Sequence, residues 1–140
     1  MAGANGSSSP NGQASRATPA GPVRLILVVD DDRDIRETLQ EILEYEGYGV
    51  ATANNGADAL TKARHEHPRL ILLDLFMPVM DGVEFRRHQL ADPELAPIPV
   101  VVVSAASGLA DRVRPMSVAA HLEKPLQIDQ LFEVVARYCS

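Results

Sequence analysis

Residues 70–82, LILLDLFMPVMDG, constrain this chain more than any other stretch. They open with a run of large apolar residues, Leu70 to Leu73, long enough for a strand and apolar enough to be buried on both faces. The run ends on one carboxylate, Asp74. Pro78 and the pair Asp81-Gly82 then supply turn chemistry that stops the strand and swings the chain away. A strand buried on both faces implies a parallel sheet covered by helices, and such sheets place their chemistry at the carboxyl ends of the strands. Asp74 sits at such an end, so it is expected to be the working residue.

The rest of the chain reads as the frame around that strand. Residues 25–29 form a short apolar strand running into Asp30-Asp31-Asp32. Ile35, Leu39, Ile42 and Leu43 follow at helical spacing, with Gly47 as a stop. A weaker strand is expected over 48–53, a helix of mostly small buried residues over 57–64, and a third helix over 83–90. Residues 100–103 are the most strand-like run and lead into Ser104. Gly108 and Pro115 predict a short, weak helix within 107–116. A last strand over 119–123 leads to Lys124-Pro125, and a last helix over 128–138 is expected to bury Ile128, Leu131, Phe132 and Val135. Strands alternating with helices predict an α/β fold, a doubly wound five-stranded parallel sheet with five helices.

Two domain-level segments follow. Residues 1–22 are Gly, Ser, Ala, Pro and Asn with Arg16 as the only charge; such a tail cannot offset its ordering entropy and is expected to be disordered. Residues 23–140 form the folded domain. The net charge of −6 and pI near 5.1 argue against a nucleic-acid surface, which needs a clustered basic face. No apolar run reaches the roughly 18–20 residues of a membrane span, and no secretion signal is visible. The single cysteine, Cys139, permits no intrachain disulfide and is expected to be inert. A soluble cytoplasmic protein is the expectation.

Asp30-Asp31, Asp74, Ser104 and Lys124 all fall at strand ends. In a doubly wound sheet whose switch point lies between the first and third strands, the acidic groups become neighbours. Carboxylates that close raise one another's pKa unless a cation joins them, and oxygen ligands of this kind suit Mg²⁺. Read alone, Asp30-Asp31 would favour helix capping, the reading preferred for Asp32 and Asp34, but the remaining strand-end residues reverse this in favour of metal binding. Ser104 could donate to a bound phosphoryl oxygen and Lys124 could neutralise another. His65-x-His67 precedes Pro68 with no third ligand in view and reads as surface loop. Met77 and Met80 read as packing residues.

These residues resemble the receiver domain of two-component response regulators over about residues 25–138. The match comprises VVDDD with Asp30 and Asp31, the segment DLFMPVMDG from Asp74 to Gly82, Ser104-Ala105, and Lys124-Pro125, whose peptide bond is cis in the family. The resemblance implies a flavodoxin-like sheet of strand order 2-1-3-4-5. It implies that Asp74 accepts a phosphoryl group from a sensor histidine kinase, a phosphotransfer protein or a small phosphodonor. Asp30, Asp31, Asp74 and the backbone carbonyl of Phe76 would hold Mg²⁺, and Ser104 and Lys124 would contact the phosphoryl group. The output would pass to an unidentified downstream protein, with no DNA-binding domain. Such a protein is a phosphoacceptor and not an enzyme beyond autophosphorylation and slow self-dephosphorylation.

Two departures stand out. His121 occupies the switch position, three residues before the lysine, where the family usually has Tyr or Phe; it is expected to be half-buried. Phe76 stands two residues after the phosphoacceptor, where relatives often carry polar residues that orient water, so slow dephosphorylation is expected. A receiver-like adaptor that is never phosphorylated is the alternative. A Mg²⁺-dependent aspartyl phosphatase is a weaker one, since its second acid would fall at Phe76.

Overall fold

A computed structural model describes residues 24–139; the expectation of a disordered tail falls outside them. Five parallel strands, β1 (Leu25–Val29), β2 (Gly49–Ala53), β3 (Leu70–Leu73), β4 (Val100–Ser104) and β5 (Ala120–Glu123), form one sheet in the order β2-β1-β3-β4-β5. Five helices connect or follow them: α1 (Arg33–Tyr45), α2 (Gly56–Glu66), α3 (Gly82–Leu90), α4 (Leu109–Val113) and α5 (Ile128–Tyr138). The expected fold and strand order are both present.

Strand alternation divides the core in two. Leu27, Val29, Ile71, Leu73, Val100 and Val102 face one side, where α2, α3 and α4 contribute Ala59, Leu60, Ala63, Phe85, Leu109 and Val113. Ile26, Val28, Leu70, Leu72, Val101 and Val103 face the other, packed by Leu39 and Leu43 of α1 and Leu131, Val135 and Cys139 beside them. Both faces of the three central strands are therefore dry, which is why these strands read as unbroken apolar runs.

The local ends follow from sequence chemistry. The Asp32 carboxylate caps α1 by accepting from the amides of Asp34 and Ile35. Gly47 ends the same helix at φ 97°: its amide reaches the Glu44 carbonyl and that of Tyr48 reaches Leu43, a paired closure of the last turn. Asn55 and Asp81 cap α2 and α3.

The short helix expected before β5 is present as a five-residue α4 continued by a single 3-10 turn, Arg114–Met116, where Pro115 ends the α-helical pattern. Three other expectations need correction. Ile128 is 42% exposed and Phe132 only partly covered, because α5 turns the Leu131–Val135 stripe to the sheet and leaves its first turn at the rim. His65 lies in the last turn of α2 rather than in a loop; His67 is the left-handed cap beyond it. His121 is exposed on β5, an edge strand, and is not half-buried.

Candidate functional site

The register of the sheet assembles the site. Val29 pairs with Leu73, so Asp30 and Asp74 leave adjacent strands side by side. Ser104 pairs with Glu123, which brings Lys124 over the end of β4. The carboxylates of Asp30, Asp31 and Asp74 offer ligand atoms that all lie within 4.8 Å of one another. Asp30 and Asp74 are buried and Asp31 is exposed, so the cluster is open on one side.

Lys124 is the cation of this cluster. Its Nζ lies 2.7 Å from Asp30 Oδ2 and 3.5 Å from Asp74 Oδ2. The other Asp30 oxygen accepts from the Asp32 amide at 2.9 Å, and Asp74 Oδ1 accepts from the Leu75 amide at 2.8 Å. Burial, and then the negative charge of Asp30, push the Asp74 carboxyl above its ordinary pKa, outweighing Lys124, the Leu75 amide and Ser104. Burial disfavours the Lys124 ammonium, yet its bond to Asp30 and the fields of Asp30 and Asp74 prevail and raise its pKa. A buried nucleophilic carboxylate, two acidic neighbours and two hydrogen-bond donors can receive an anionic phosphoryl group once further positive charge joins them.

The loop after β3 is held tightly. Gly82 donates to the Leu75 carbonyl at 2.8 Å, and a Cβ at Gly82 would fall on the Asp74 carbonyl oxygen. Only glycine permits α3 to start this close to the end of β3. Met80 fills a comparable contact against Gly56 at the start of α2. Val79 is 82% exposed with φ 70°, a left-handed conformation that a β-branched residue adopts at a cost. Phe76 is 56% exposed, and the Arg112 guanidinium of α4 lies 5.5 Å from its ring centre. The Lys124-Pro125 peptide bond is cis.

Sequence reasoning missed three residues, two of which, Arg86 and Gln89, serve the opposite end of the sheet from the acidic cluster. Arg86 is buried on α3, donating to the carbonyls of Met116 and Ser117 at 2.9 and 2.8 Å and to Gln89 Oε1 at 2.8 Å. Gln89, fully buried, donates in turn to the Leu95 and Ile98 carbonyls. Gln89 stands four residues after Phe85 on the same helix stripe, a spacing that marks it as inward-facing. Arg86 carried no such mark. Arg112, the third, meets Phe76 only through the tertiary fold.

Comparison with known proteins agrees with this geometry. The family model described as the response regulator receiver domain matches residues 26–136. Response regulator MprA of Mycobacterium leprae is 35% identical over 108 residues, covering 76% of this chain and 46% of the relative. MprA of Mycobacterium sp. (strain KMS) is 37% identical over 112 residues, covering 79% and 47%. The chain thus spans about half the length of the curated relatives it matches. Among solved structures, the chemotaxis response regulator CheY4 of Vibrio cholerae superposes with a TM-score of 0.77 at 27% identity, covering 84% of this chain and 99% of that one. Response regulator TrrA of Thermotoga maritima, in complex with Mg²⁺-BeF, gives 0.75 at 31% identity, covering 83% and 99%. With the family model covering most of its length and the strand order shared with these structures, the chain belongs to the response regulator receiver domains of two-component signalling.

Proposed function

We propose that the domain is switched by phosphorylation of Asp74. One observation carries the reading: Lys124 draws Asp30 and Asp74 together at the strand ends while Asp31 leaves the cluster open to solvent. Receiver domains work with histidine kinases or phosphotransfer proteins, and the phosphoryl group is taken to come from such a partner. An Asp74 oxygen attacks phosphorus, the phosphorus–nitrogen bond to the donor histidine breaks, and the imidazole leaves. The amide of Leu75 orients the attacking carboxylate. Ser104 and Lys124 then hold the phosphoryl oxygens.

The donor set fits Mg²⁺, a small cation that takes a few carboxylates and keeps several waters. Asp30, Asp31 and Asp74, with the Phe76 carbonyl, would hold it. The ion supplies positive charge against the carboxylates and the incoming phosphoryl oxygens. Phe76 cannot hydrogen-bond to an attacking water, so the aspartyl phosphate is expected to be long-lived. Asn at this position should shorten its lifetime.

The altered strand ends are read by a downstream protein on the side formed by α4, β5 and α5. The acidic net charge favours a protein over a nucleic acid as that partner. Among the described residues no helix is long and apolar enough to cross a membrane. The test is intact-protein mass spectrometry after incubation with acetyl phosphate and Mg²⁺, beside Asp74→Asn. One added phosphoryl group, dependent on Mg²⁺ and absent in the variant, is expected. Labelling of the variant to the same extent would move the acceptor elsewhere. Mg²⁺ binding without labelling by any donor would leave the adaptor reading in its place.

A further inference from the structure

The two loops that flank Asp74 are tied to each other at two levels. At the base, β3 and β4 pair directly, Leu73 with Val102, just before Asp74 and Ser104. Beyond the strands, Phe76 in the loop after β3 meets Arg112 of α4, with the guanidinium 5.5 Å from the ring centre. Arg112 is aimed by the loop that precedes α4, since its Nε donates to the Ser107 carbonyl at 2.9 Å. Ser104 holds the start of that loop through the Ala106 amide at 3.3 Å. The contacts run from Phe76 across to Arg112 and back through Ser107 to the loop that Ser104 begins.

The charges around Arg112 leave it free for this contact. Asp111, its neighbour, pairs with Arg114 at 3.0 Å. α4 starts at Gly108 in a left-handed conformation with no side-chain cap, so the helix end nearest the cleft has little of its own to hold it. The opposite end is anchored, since Arg86 grips the Met116 and Ser117 carbonyls just beyond it. From the anchored end, the Arg112 side chain reaches back to Ser107 and so ties the segment before α4 to Phe76.

We infer that Arg112 is a positioning residue that clasps Phe76 across the cleft and thereby lengthens the life of the aspartyl phosphate. The inference rests on phosphorylation of Asp74. Decay proceeds by addition of water to phosphorus and rupture of the bond to the Asp74 oxygen; one water is consumed, and the carboxylate and dihydrogen phosphate are released. Water must enter between the two loops, and the clasp joins them. Arg112 acts through the ring of Phe76, not on the phosphoryl group.

The experiment is a double-mutant cycle on phosphate lifetime. Wild type, Arg112→Gln, Phe76→Ala and the double variant are labelled with acetyl phosphate and Mg²⁺ and freed of donor. First-order loss of label is then followed by intact mass. Arg112→Gln should shorten the half-life about two- to fivefold, the range expected for loss of an exposed cation–π contact. It should have no further effect in the Phe76→Ala background, and Arg112→Lys should restore part of the lifetime. An unchanged half-life, or equal shortening with and without Phe76, overturns the inference. If wild type takes no label, the phosphorylation reading fails first, and a second measurement decides the clasp. In a Phe76→Trp reporter, acrylamide quenching of the indole should rise on Arg112→Gln; unchanged quenching overturns it.

Discussion

Lys124 and a bound Mg²⁺ would compete for the same oxygen, and that competition has a size. In the structure Asp30 Oδ1 is taken by the Asp32 amide and Oδ2 by the Lys124 ammonium at 2.7 Å. The two side chains are only 16% and 4% exposed, so solvent screens the pair little. A hydrogen bond to a charged group contributes roughly 1.5–3 kcal/mol. A metal ion on Asp30 would forfeit that bond, and it would set its charge against the ammonium. Lys124→Met removes the bond from the metal-free state alone, so about 2 kcal/mol should pass into binding. That is roughly a 30-fold tighter Mg²⁺ affinity. Titration calorimetry of wild type and variant at one ionic strength measures it directly. The metal-free variant should also be less stable than wild type, because its buried carboxylates lose their counter-charge, and saturating Mg²⁺ should close most of the gap. Unchanged or weaker Mg²⁺ binding by the variant would refute the argument that Lys124 occupies the metal's place.

Other consequences can be checked on the same preparation. Val79→Gly relieves a left-handed β-branched residue at an exposed position and should raise stability by about 0.5–1 kcal/mol in urea unfolding, whereas any loss would show that the Val79 side chain makes contacts that outweigh the strain. Arg86→Met strands the Met116 and Ser117 carbonyls and the Gln89 amide oxygen; a loss of about 3 kcal/mol, on the order of 10 °C in Tm, is expected by calorimetry. The pH dependence of Asp74→Asn has a definite sign. Because the folded-state pKa of Asp74 is raised, its favourable contribution belongs to the protonated form, is full below the unfolded value and is lost as pH rises through the folded one. Without Mg²⁺ the Asn variant should therefore be more stable than wild type at neutral pH, with the difference shrinking on acidification. A difference that grows as pH falls would contradict the assignment.

How much of this was legible beforehand depends on the range of the interaction. The boundaries of β1, β3 and α5 were readable because unbroken apolar runs and a strong helical stripe are local patterns. The caps at Asp32 and Gly47 were readable for the same reason. The strand order came from resemblance, since periodicity alone cannot say which parallel strands are neighbours. Ile128 and His121 were misjudged because their exposure depends on where α5 and an edge strand lie against the sheet. The residues of the acidic cluster were legible as types, while the pairing of Lys124 with Asp30 more closely than with Asp74 was not.

By itself, the order of apolar runs, carboxylates and turn residues determined a wrapped parallel sheet with its acids, serine and lysine at strand ends. Those features are set by backbone preference and burial, which act over a few residues. Only the tertiary structure decided that Arg86 is spent on carbonyls 30 and 31 residues away, that Arg112 meets Phe76, and that Lys124 reaches across 94 residues to Asp30. Such contacts are chosen by the packing of α3, α4 and the β5–α5 turn on the sheet, and a long polar side chain satisfies whichever acceptor that packing brings within reach.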